Sequence, residues 1–362
     1  MSFIWLQETI YRNWFKGEEM SQLSDLLLPW FYEHKRDLPW RQDKEPYHVW
    51  LSEIMLQQTR VEAVREYYKR FLRELPTIGD LAKCPDDKLM KLWEGLGYYN
   101  RARNLKIAAT TVMTDYQGVF PQDIETIRSL KGIGDYTAGA IASICFDLKT
   151  PAVDGNVLRV LSRVYNDDSN IDLASTKKEY KKRLELLYPV QACGDFTQSL
   201  MELGALVCIP NGVPKCQECP LQGICEAHKK GTTHLLPVRS EKRMRRHVDM
   251  TVFVLSFEAF DGRYYAIRKR EEKGLLHGLY EFYNVAEVMD VRHAMTHLNE
   301  QGIVAGELLK EVKYTHIFTH VEWHMTAYYV SCKEKNPEFL WVKEEELEGD
   351  YALPSAFRVF VM

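Results

Sequence analysis

Four cysteines lie close together past the middle of the chain, and clustered thiolates are typical of metal ligation. Cys208, Cys216, Cys219 and Cys225 follow the spacing C-x7-C-x2-C-x5-C, whereas the other four of the eight cysteines are scattered. Thiolates at such intervals can converge on one metal centre. A structural zinc site and an iron–sulfur cluster both fit this spacing. A disulfide framework is disfavoured, because the chain is large and lacks a secretory signal.

Two carboxylates stand in segments that could carry acid–base chemistry. Glu53 lies in L-S-E-I-M-L-Q-Q-T (51–59), on a predicted helix face that is otherwise rich in apolar residues. Asp154 lies in V-D-G-N-V-L-R-V (153–160), where it is placed to cap a helix. A lone glutamate on a helix is more often exposed than catalytic, and capping alone would explain the aspartate. The residues by themselves leave both interpretations open.

A glycine-rich turn adds a third candidate element. In L-K-G-I-G-D-Y-T-A-G-A-I (130–141), Gly132 and Gly134 flank one apolar residue at the start of a predicted helix. Two helices joined by such a tight turn present free backbone N–H groups, which can hold a phosphate. An ordinary helix–helix turn has the same pattern, so this signal is weak when taken alone.

The elements that must position these residues change type along the chain. Up to about residue 226, apolar residues recur at helical spacing. The helical segments are Leu23–Tyr32, Val49–Tyr68, Asp86–Leu96, Ala102–Thr114 and Lys177–Leu187. A basic stretch of low apolar content follows at 227–247 and is predicted as a linker. Beyond it, the predicted strands are Met250–Phe257, Tyr264–Arg268, Val312–Phe318 and Trp323–Ser331, with a helix at Val291–Gln301. Residues 248–362 are therefore predicted as an α+β domain.

Composition alone does not indicate a ligand. The chain carries 47 Lys and Arg against 51 Asp and Glu, a formal net charge of −4, so nucleic-acid binding would depend on local patches. No apolar run approaches the roughly 20 residues that span a bilayer. The first 20 residues do not have the pattern of a signal peptide, and we expect a cytoplasmic, nucleoid-associated protein without a membrane segment.

These motifs, together with four further segments, resemble the helix–hairpin–helix DNA glycosylases related to endonuclease III. The further segments are L-P-W-R (38–41), L-Q-Q-T (56–59), G-L-G-Y-Y-N-R-A-R-N-L (95–105) and E-L-G-A-L-V-C (202–208). They are most similar to the adenine-specific branch of that superfamily, over about residues 24–226. The resemblance implies a multidomain protein, whose residues 1–226 form an all-α helix–hairpin–helix glycosylase domain that includes the cluster loop 208–225.

The resemblance also implies a cofactor. In these relatives the four cysteines hold a [4Fe–4S] cluster, so we expect the same cluster at Cys208, Cys216, Cys219 and Cys225. The first cysteine interval has seven residues here where the relatives usually have six. A single insertion in the loop 209–215 is sterically easy.

Cleavage of an N-glycosidic bond requires protonation of the leaving base and stabilisation of the sugar cation. The resemblance assigns the first task to Glu53, whose pKa must then be raised toward neutrality by burial. Asp154 would stay ionised beside the sugar, acting either electrostatically or through a transient bond. Tyr136 stands where bifunctional relatives carry a lysine that forms a Schiff base. A phenol cannot do so, which predicts a monofunctional enzyme that leaves an abasic site.

Other predicted site residues concern the flipped base and the duplex around it. They would line the base pocket, fill the gap in the duplex, insert beside the opposite base, or hold the DNA backbone through the hairpin. In chain order they are Trp40, Arg41, Gln58, Thr59, Leu96, Gly97, Tyr98, Gly132, Gly134, Asn156 and Gln198. At the position of Gln198 the relatives often carry a glutamate.

The C-terminal part resembles a Nudix domain. Its segment G-L-L-H-G-L-Y-E-F (274–282) is similar to a Nudix motif, but 291–300 lacks the R-E-x-x-E-E run that would hold magnesium. We therefore expect a Nudix-like fold without hydrolase activity. In the adenine-specific relatives a short F-S-H loop of this domain recognises the base opposite adenine. The matching residues are Phe318, Thr319 and His320, and threonine keeps the hydroxyl group.

The sequence therefore predicts a monomeric base-excision repair enzyme. Its expected partner is double-stranded DNA containing adenine opposite 8-oxoguanine or G, and its expected product is an abasic site. Two alternatives are a bifunctional pyrimidine glycosylase and lyase, and a catalytically silent DNA-binding iron–sulfur protein.

Overall fold

The computed structural model describes residues 19–241, 244–271 and 274–361. The chain divides into two compact units, of which the first comprises Met1–Lys83 and Asn104–Glu241 and the second Cys84–Arg103 and Lys242–Met362. The N-terminal residues 1–18, on which the signal-peptide expectation depended, lie outside the described residues. So do Lys242 and Arg243 of the predicted linker.

The first unit is built from helices, which confirms the predicted all-α class. Its helices are α1 (Glu19–His34), α2 (Pro46–Leu56), α3 (Val61–Glu74), α4 (Ile78–Lys83), α7 (Ile124–Ser129), α8 (Asp135–Phe146), α9 (Gly155–Tyr165), α10 (Ala174–Leu187), α11 (Cys193–Leu206) and α12 (Glu226–Lys230). Helix α5 (Asp86–Trp93) belongs to the second unit, and α6 (Asn100–Asp115) begins there and continues into the first.

One core joins four helices of this unit, two of which carry candidate residues, Asn156 on α9 and Gln198 on α11. The apolar faces of α1, α9, α10 and α11 bury Phe31, Leu161, Tyr180 and Phe196 almost completely. Helix α9 is strongly amphipathic in sequence, and its apolar side faces this cluster. Because Asp154 precedes α9 directly, this packing fixes the position of its carboxylate.

The predicted helical segment Val49–Tyr68 proves to be two helices. Helix α2 ends at Leu56 and α3 begins at Val61. Between them the φ angle of Gln58 is +59°, a left-handed conformation that is uncommon for a residue other than glycine. The break turns the chain at the four residues 57–60, two of which were predicted to contact DNA.

The second unit is a mixed sheet with helices, which confirms the predicted α+β class. Its strands are β1 (Arg246–Ala259), β2 (Gly262–Lys269), β3 (Tyr280–Glu281), β4 (Tyr283–Val285), β5 (Ala305–Ile317), β6 (Val321–Cys332) and β7 (Leu340–Lys343). The helices beside them are α13 (Val291–Glu300), α14 (Glu344–Gly349) and α15 (Ser355–Arg358). The main strand order is β3-β2-β1-β6-β5, with β4 on β1 and β7 on β2.

Strands β1 and β6 form the centre of the sheet and run parallel, from the pair Arg246↔Val321 to the pair Ser256↔Ser331. The other strand pairs are antiparallel. Both faces of β1 are covered: Val252 and Val254 belong to one apolar cluster, and Phe253 and Leu255 to another. A central strand buried on both sides explains the continuous apolar run in its sequence.

A buried carboxylate holds the segment Cys84–Arg103 within the second unit. Glu94 is 8% exposed and accepts hydrogen bonds from the backbone N–H of Leu353 (2.8 Å) and from Nη1 of Arg358 (3.0 Å). Nζ of Lys91 lies 2.9 Å from the same carboxylate. Three donors satisfy the charge, so the loop that follows Glu94 starts from a fixed point.

The hairpin between α7 and α8 depends on glycine at one position. Gly132 has a φ of +82°, and a Cβ added there would lie 2.6 Å from Cβ of Asn104. Gly134 has a φ of −95°, and a Cβ there would meet nothing within 4 Å. Gly132 therefore serves both a left-handed turn and a close approach, whereas Gly134 does not.

We predict that Gly132→Ala destabilises the helical unit by roughly 2–4 kcal/mol, the sum of left-handed strain and overpacking. Gly134→Ala is the matched control and should cost about 1 kcal/mol or less. Thermal unfolding followed by circular dichroism should show a clearly lower melting temperature for Gly132→Ala alone. Equal melting temperatures for the two variants would refute this account of the hairpin.

Candidate active site and metal-ligating loop

A cavity of about 690 Å³ lies in the first unit and collects most of the predicted site residues. Its volume is typical of small-molecule pockets and is ample for a heterocyclic base. Ten of the predicted residues line it: Trp40, Arg41, Glu53, Gln58, Thr59, Gly134, Tyr136, Asp154, Asn156 and Gln198. They come from separate helices and turns, which the fold brings together.

Glu53 occupies the inner face of α2 and is only 6% exposed. Its Oε2 accepts a hydrogen bond of 2.6 Å from the hydroxyl of Tyr136. Burial raises the pKa of Glu53 to about 7, and the charge of Asp154 acts in the same direction. The hydrogen bond from Tyr136 and the charge of Arg41 oppose that rise. At neutral pH this carboxyl group is therefore poised between its two protonation states.

Tyr136 stands in the first turn of α8, directly after the glycine hairpin. Burial and the neighbouring carboxylates Glu53 and Asp154 raise the pKa of its phenol well above the ordinary value. The phenol is thus neutral at physiological pH and acts as a hydrogen-bond donor. No lysine lines this cavity in the described part of the chain.

Asp154 is half-buried, and it differs from Glu53 above all in its hydrogen bonds. It caps α9, with Oδ1 accepting from the backbone N–H of Val157 at 2.7 Å. Oδ2 accepts from the side-chain amide of Asn156 at 2.8 Å. Burial raises the pKa of Asp154, while these N–H donors and the charge of Arg159 act against it. Donors to both oxygens favour the ionised form.

A chain of hydrogen bonds connects Asp154 with the cysteine loop. Asn156, which donates to Asp154, accepts from Nη2 of Arg159 at 2.8 Å. The same guanidinium donates to the carbonyl of Gly204 (2.8 Å) and, through Nε, to the carbonyl of Cys208 (2.7 Å). Arg159 is 4% exposed. One buried cation therefore ties α9 to the end of α11 and to the first cysteine.

Sequence reasoning missed Glu202, which is fully buried beside the cavity. Its two oxygens accept from Arg36 Nε and Arg41 Nη2, both at 2.8 Å. The pKa of Glu202 falls to about 2, because the hydrogen bonds and charges of these arginines outweigh burial. Arg41 is thereby held in place on the wall of the cavity. The available signal was a glutamate within an otherwise apolar stretch, L-M-E-L-G-A-L (200–206).

The turn between α2 and α3 presents Gln58 at the cavity rim, where it is exposed. Next to it, Gln57 donates to Thr137 Oγ1 at 3.3 Å, and the backbone N–H of Thr59 donates to Leu56 at 3.3 Å. Trp40 is 7% exposed and packs edge-on against Tyr68, with ring centroids 5.5 Å apart. The pocket wall is thus rigid, while its rim carries an exposed amide.

The remaining predicted residues lie elsewhere. Gly132 belongs to the hairpin but does not line the cavity. Leu96, Gly97 and Tyr98 form the turn before α6, where φ is +68° at Gly97 and +48° at Tyr98. Within the second unit, the Tyr98 hydroxyl hydrogen-bonds the Thr319 hydroxyl. Tyr98 is 45% exposed, so its ring remains available for contact.

Phe318, Thr319 and His320 form the hairpin loop between β5 and β6. The loop is closed by the backbone N–H of Phe318, which donates to Val321 at 2.8 Å. Arg246 N–H donates to the carbonyl of His320 at 3.0 Å, and Arg245 Nε to that of Phe318 at 3.2 Å. Thr319 and His320 are exposed. Backbone contacts thus fix the loop and leave the side chains of Thr319 and His320 at the surface, where the Thr319 hydroxyl hydrogen-bonds Tyr98.

The four clustered cysteines surround one apolar pocket in the first unit, between α9, the end of α11 and α12. All eight cysteines lie in the described ranges and none of them is in a disulfide bond. Tetrahedral zinc with Zn–S bonds of about 2.3 Å would bring its sulfurs to about 3.8 Å of one another. Among the described residues, no three of these Sγ atoms lie within 4.8 Å of each other. The sulfurs of the described cysteines thus do not form a ready-made zinc tetrahedron, and their spacing is compatible with a larger, multi-iron centre.

The surroundings of the sulfurs suit such a centre. Arg163 Nη1 lies 3.3 Å from Sγ of Cys208. Backbone N–H groups of Leu221 and of His228 point at the sulfurs of Cys219 and Cys225. Hydrogen bonds to the sulfurs are a usual feature of iron–sulfur ligation. The donor set therefore fits the expected cluster.

The extra residue in the first cysteine interval is accommodated on the surface. Asn211, Gly212 and Val213 are exposed, and Gly212 has a φ of +79°. The loop closes behind them, where the N–H of Lys215 donates to the carbonyl of Val207 at 3.0 Å. The exposed bulge therefore lies between two backbone positions, Val207 and Lys215, that one hydrogen bond holds together.

Each of the two parts of the chain matches a known protein family. Residues 51–189 match the family model for HhH-GPD superfamily base excision DNA repair proteins, and residues 251–362 match the NUDIX domain model. An adenine DNA glycosylase of Arabidopsis thaliana is 36% identical over 360 residues, covering 85% of this chain and 56% of its own length. The adenine DNA glycosylase of Mus musculus is 35% identical over 397 residues, covering 93% of this chain and 76% of its own.

The chain belongs to the adenine DNA glycosylase family. Among solved structures, a thermostable thymine-DNA glycosylase matches with a TM-score of 0.54 and 30% identity, over 59% of this chain and 98% of that one. This adenine DNA glycosylase family member thus shares its helical fold with enzymes of other base preference. Within the described residues, every helix is too short or too polar to span a bilayer.

The raised pKa of Glu53 predicts how the stability of this protein depends on pH. Because the folded pKa of about 7 lies above the unfolded value, the folded state binds more protons between about pH 4.5 and 7. Stability therefore falls as pH rises through that window. Glu53→Gln has no titrating group at this position, so its free energy of unfolding should not fall in this way. Between about pH 4.5 and 7 the variant should therefore become more stable relative to the wild type by roughly 3 kcal/mol. Urea unfolding at several pH values measures this difference.

The matched control is Glu202→Gln, whose pKa shift has the opposite sign. It removes a charge that two arginines require, so it should lower stability at neutral pH. A constant difference between Glu53→Gln and the wild type from pH 5 to 8 would contradict a protonated Glu53.

Proposed function

We propose that this protein is a monofunctional base-excision repair enzyme that removes adenine opposite 8-oxoguanine, or opposite G, and leaves an abasic site. The observation that carries the proposal is Glu53, a carboxyl group with a pKa of about 7 in a base-sized cavity. The names of its curated relatives support adenine as the base. We further propose the boundaries 1–226 for the glycosylase domain, 227–247 for the linker and 248–362 for the Nudix-like domain.

Glu53 would supply the proton to the leaving base. A flipped adenine in the cavity meets a carboxyl group that is substantially protonated at neutral pH, and proton transfer to a ring nitrogen weakens the glycosidic bond. The Tyr136 hydroxyl, 2.6 Å from Oε2, keeps the carboxyl group in one orientation. Once it has lost its proton, Glu53 can accept one from the attacking water.

Asp154 would stabilise the positive charge that develops on the sugar. Its two oxygens are already held by Val157 and Asn156, so no reorganisation is needed when the charge appears. Glu53 accepts a phenol donor, whereas Asp154 accepts two N–H donors. This difference separates an acid from a permanent anion, as paired carboxylates in glycosidic cleavage require.

The residues that line the cavity support the proposed monofunctional outcome. A strand-cleaving lyase needs an amine that forms a Schiff base with the sugar. The position at the start of α8 is occupied by Tyr136, whose raised pKa keeps it neutral. Among the described residues that line the cavity there is no lysine. Water therefore completes the reaction.

The residues outside the cavity would hold and distinguish the DNA. Gln58 and Thr59 would fill the space that the flipped base leaves, and the hairpin of Gly132 and Gly134 would hold the backbone, a contact independent of sequence. Tyr98 would insert beside the opposite base. Thr319 would donate or accept a hydrogen bond at that base, with Phe318 and His320 beside it.

The four clustered cysteines would hold a [4Fe–4S] cluster. When bound, such a cluster cross-links the loop 208–225 and can change its oxidation state. Arg163 and Arg159 fix the first cysteine from the protein side. A further hydrogen bond of Arg159 transmits that position to Asn156 and so to the cap of α9.

The decisive experiment uses the full-length holoprotein on labelled duplexes under single turnover, with cluster content measured by visible absorption. We expect adenine release from A opposite 8-oxoguanine, slower release opposite G, strand breaks only after added base, and no borohydride-trapped adduct. The rate should fall as pH rises through about 7, because Glu53 must be protonated. Glu53→Gln should abolish release while DNA binding persists.

Arms with thymine or oxidised pyrimidines opposite G test the other base preferences of this fold. Release of a pyrimidine, or trapping with borohydride, would favour the bifunctional alternative. DNA binding without release of any base by the cluster-loaded protein would overturn the proposed activity and favour a silent binding protein. A rate that stays level through pH 7 would remove Glu53 from the role of acid.

Removal of the Thr319 hydroxyl group tests whether the loop Phe318–His320 recognises the opposite base. We predict that Thr319→Val, which keeps the shape but loses the hydrogen bond, lowers affinity for A opposite 8-oxoguanine roughly five- to tenfold, as for one hydrogen bond of about 1 kcal/mol. Affinity for A opposite G should change less. Thr319→Ser is the matched control and should behave like the wild type. Equal losses on both duplexes would show that the loop does not discriminate between them.

A further inference from the structure

We propose that His247, Glu322 and His324 form a binding site for one divalent transition-metal ion, best matched to zinc. Nδ1 of His247 lies 3.2 Å from Nε2 of His324. Oε1 of Glu322 lies 3.1 Å from the same Nε2. All three ligating atoms lie within 4.8 Å of one another. The group is separate from the cavity and from the clustered cysteines.

These separations match the edges of a coordination tetrahedron. With metal–nitrogen and metal–oxygen distances of about 2.0–2.2 Å, two ligands of a tetrahedral zinc ion are about 3.3–3.5 Å apart. The two measured contacts are within a few tenths of an ångström of that value. An ion could therefore enter with only small side-chain adjustments.

Hydrogen bonds alone cannot satisfy all three of these polar atoms at once. Nε2 of His324 faces both a ring nitrogen and a carboxylate oxygen. A neutral imidazole nitrogen carries one proton or one lone pair, so it can make one good hydrogen bond along its axis. A cation placed among the three atoms is a common partner for all of their lone pairs. Imidazole and carboxylate ligands suit zinc and other divalent transition metals.

The sheet holds the three residues in place. Strands β1 and β6 run parallel here, and His247 pairs with Glu322 while Asp249 pairs with His324. Because side chains alternate along a strand, these four residues share one face of the sheet. The side chains of His324 and Glu322 are 41% and 19% exposed, so an ion can reach them. Asp249 is exposed on the same face and offers a further carboxylate.

An ion at this position would affect the neighbouring loop Phe318–His320. Glu322 and His324 follow the loop Phe318–His320, and His247 follows Arg246, whose backbone N–H donates to His320. An ion would thus cross-link β6, which begins directly after this loop, to β1, which pairs with β6, and would restrict the motion of the loop. That this improves discrimination of the opposite base rests on the proposed function, but the metal site itself does not.

The test measures zinc and iron together in the full-length holoprotein after equilibrium dialysis against zinc. We expect one more equivalent of zinc per chain in the wild type than in His247→Gln or His324→Gln, at equal iron content. Glu322→Gln should lower zinc affinity. His293→Gln is the matched control, because His293 is an exposed histidine of the same unit on α13, beside Asp290. It should bind as much zinc as the wild type.

Equal zinc content in the wild type, His247→Gln and His324→Gln would overturn the site. Unchanged affinity in Glu322→Gln would overturn the three-ligand arrangement. Zinc should also raise the melting temperature of the wild type and of His293→Gln but not of His324→Gln, since a ligand stabilises the state that binds it. Zinc uptake in a protein that releases no base would support the site while refuting the proposed activity.

Discussion

The buried guanidinium of Arg159 is the contact on which the geometry of the helical unit depends. It donates to the carbonyls of Gly204 and Cys208 and to the side chain of Asn156. A buried arginine is costly unless its donors are satisfied, so these acceptors must keep their positions. They belong to the end of α11, the cysteine loop and the start of α9. The cap of α9 is therefore coupled to the cysteine loop through Arg159.

The same unit places two carboxyl groups in one cavity and gives them different partners. Burial raises the pKa of both Glu53 and Asp154, so burial alone would not make one an acid and the other an anion. The difference arises from local structure. Asp154 is a helix cap and therefore receives N–H donors, whereas Glu53 lies within α2, where backbone donors are occupied. Helix position thus decides which hydrogen-bond donors each carboxyl group receives.

Much of this could be predicted from sequence, because helical periodicity and the V-D-G-N segment reflect local rules. Periodicity could not show that Val49–Tyr68 breaks at Gln58, since the left-handed turn there uses no glycine or proline. Glu202 was not identified as a site residue, because its partners Arg36 and Arg41 are about 160 residues away in sequence. The pair Tyr98 and Thr319 likewise joins distant segments. What sequence patterns miss are contacts created by tertiary structure.

In the second unit, the helix beside the sheet contributes to packing rather than to a cluster of charged side chains. Helix α13 carries no run of carboxylates, and its inward residue His297 instead stacks on Phe253 and hydrogen-bonds Tyr283 at 2.6 Å. A helix that would need to present charge to hold magnesium is here part of an aromatic core. Polar ligands appear instead where β1 and β6 emerge beside the loop Phe318–His320. Since the parallel register of these strands fixes which side chains share a face, a change of register by one residue would separate His247 from Glu322 and His324.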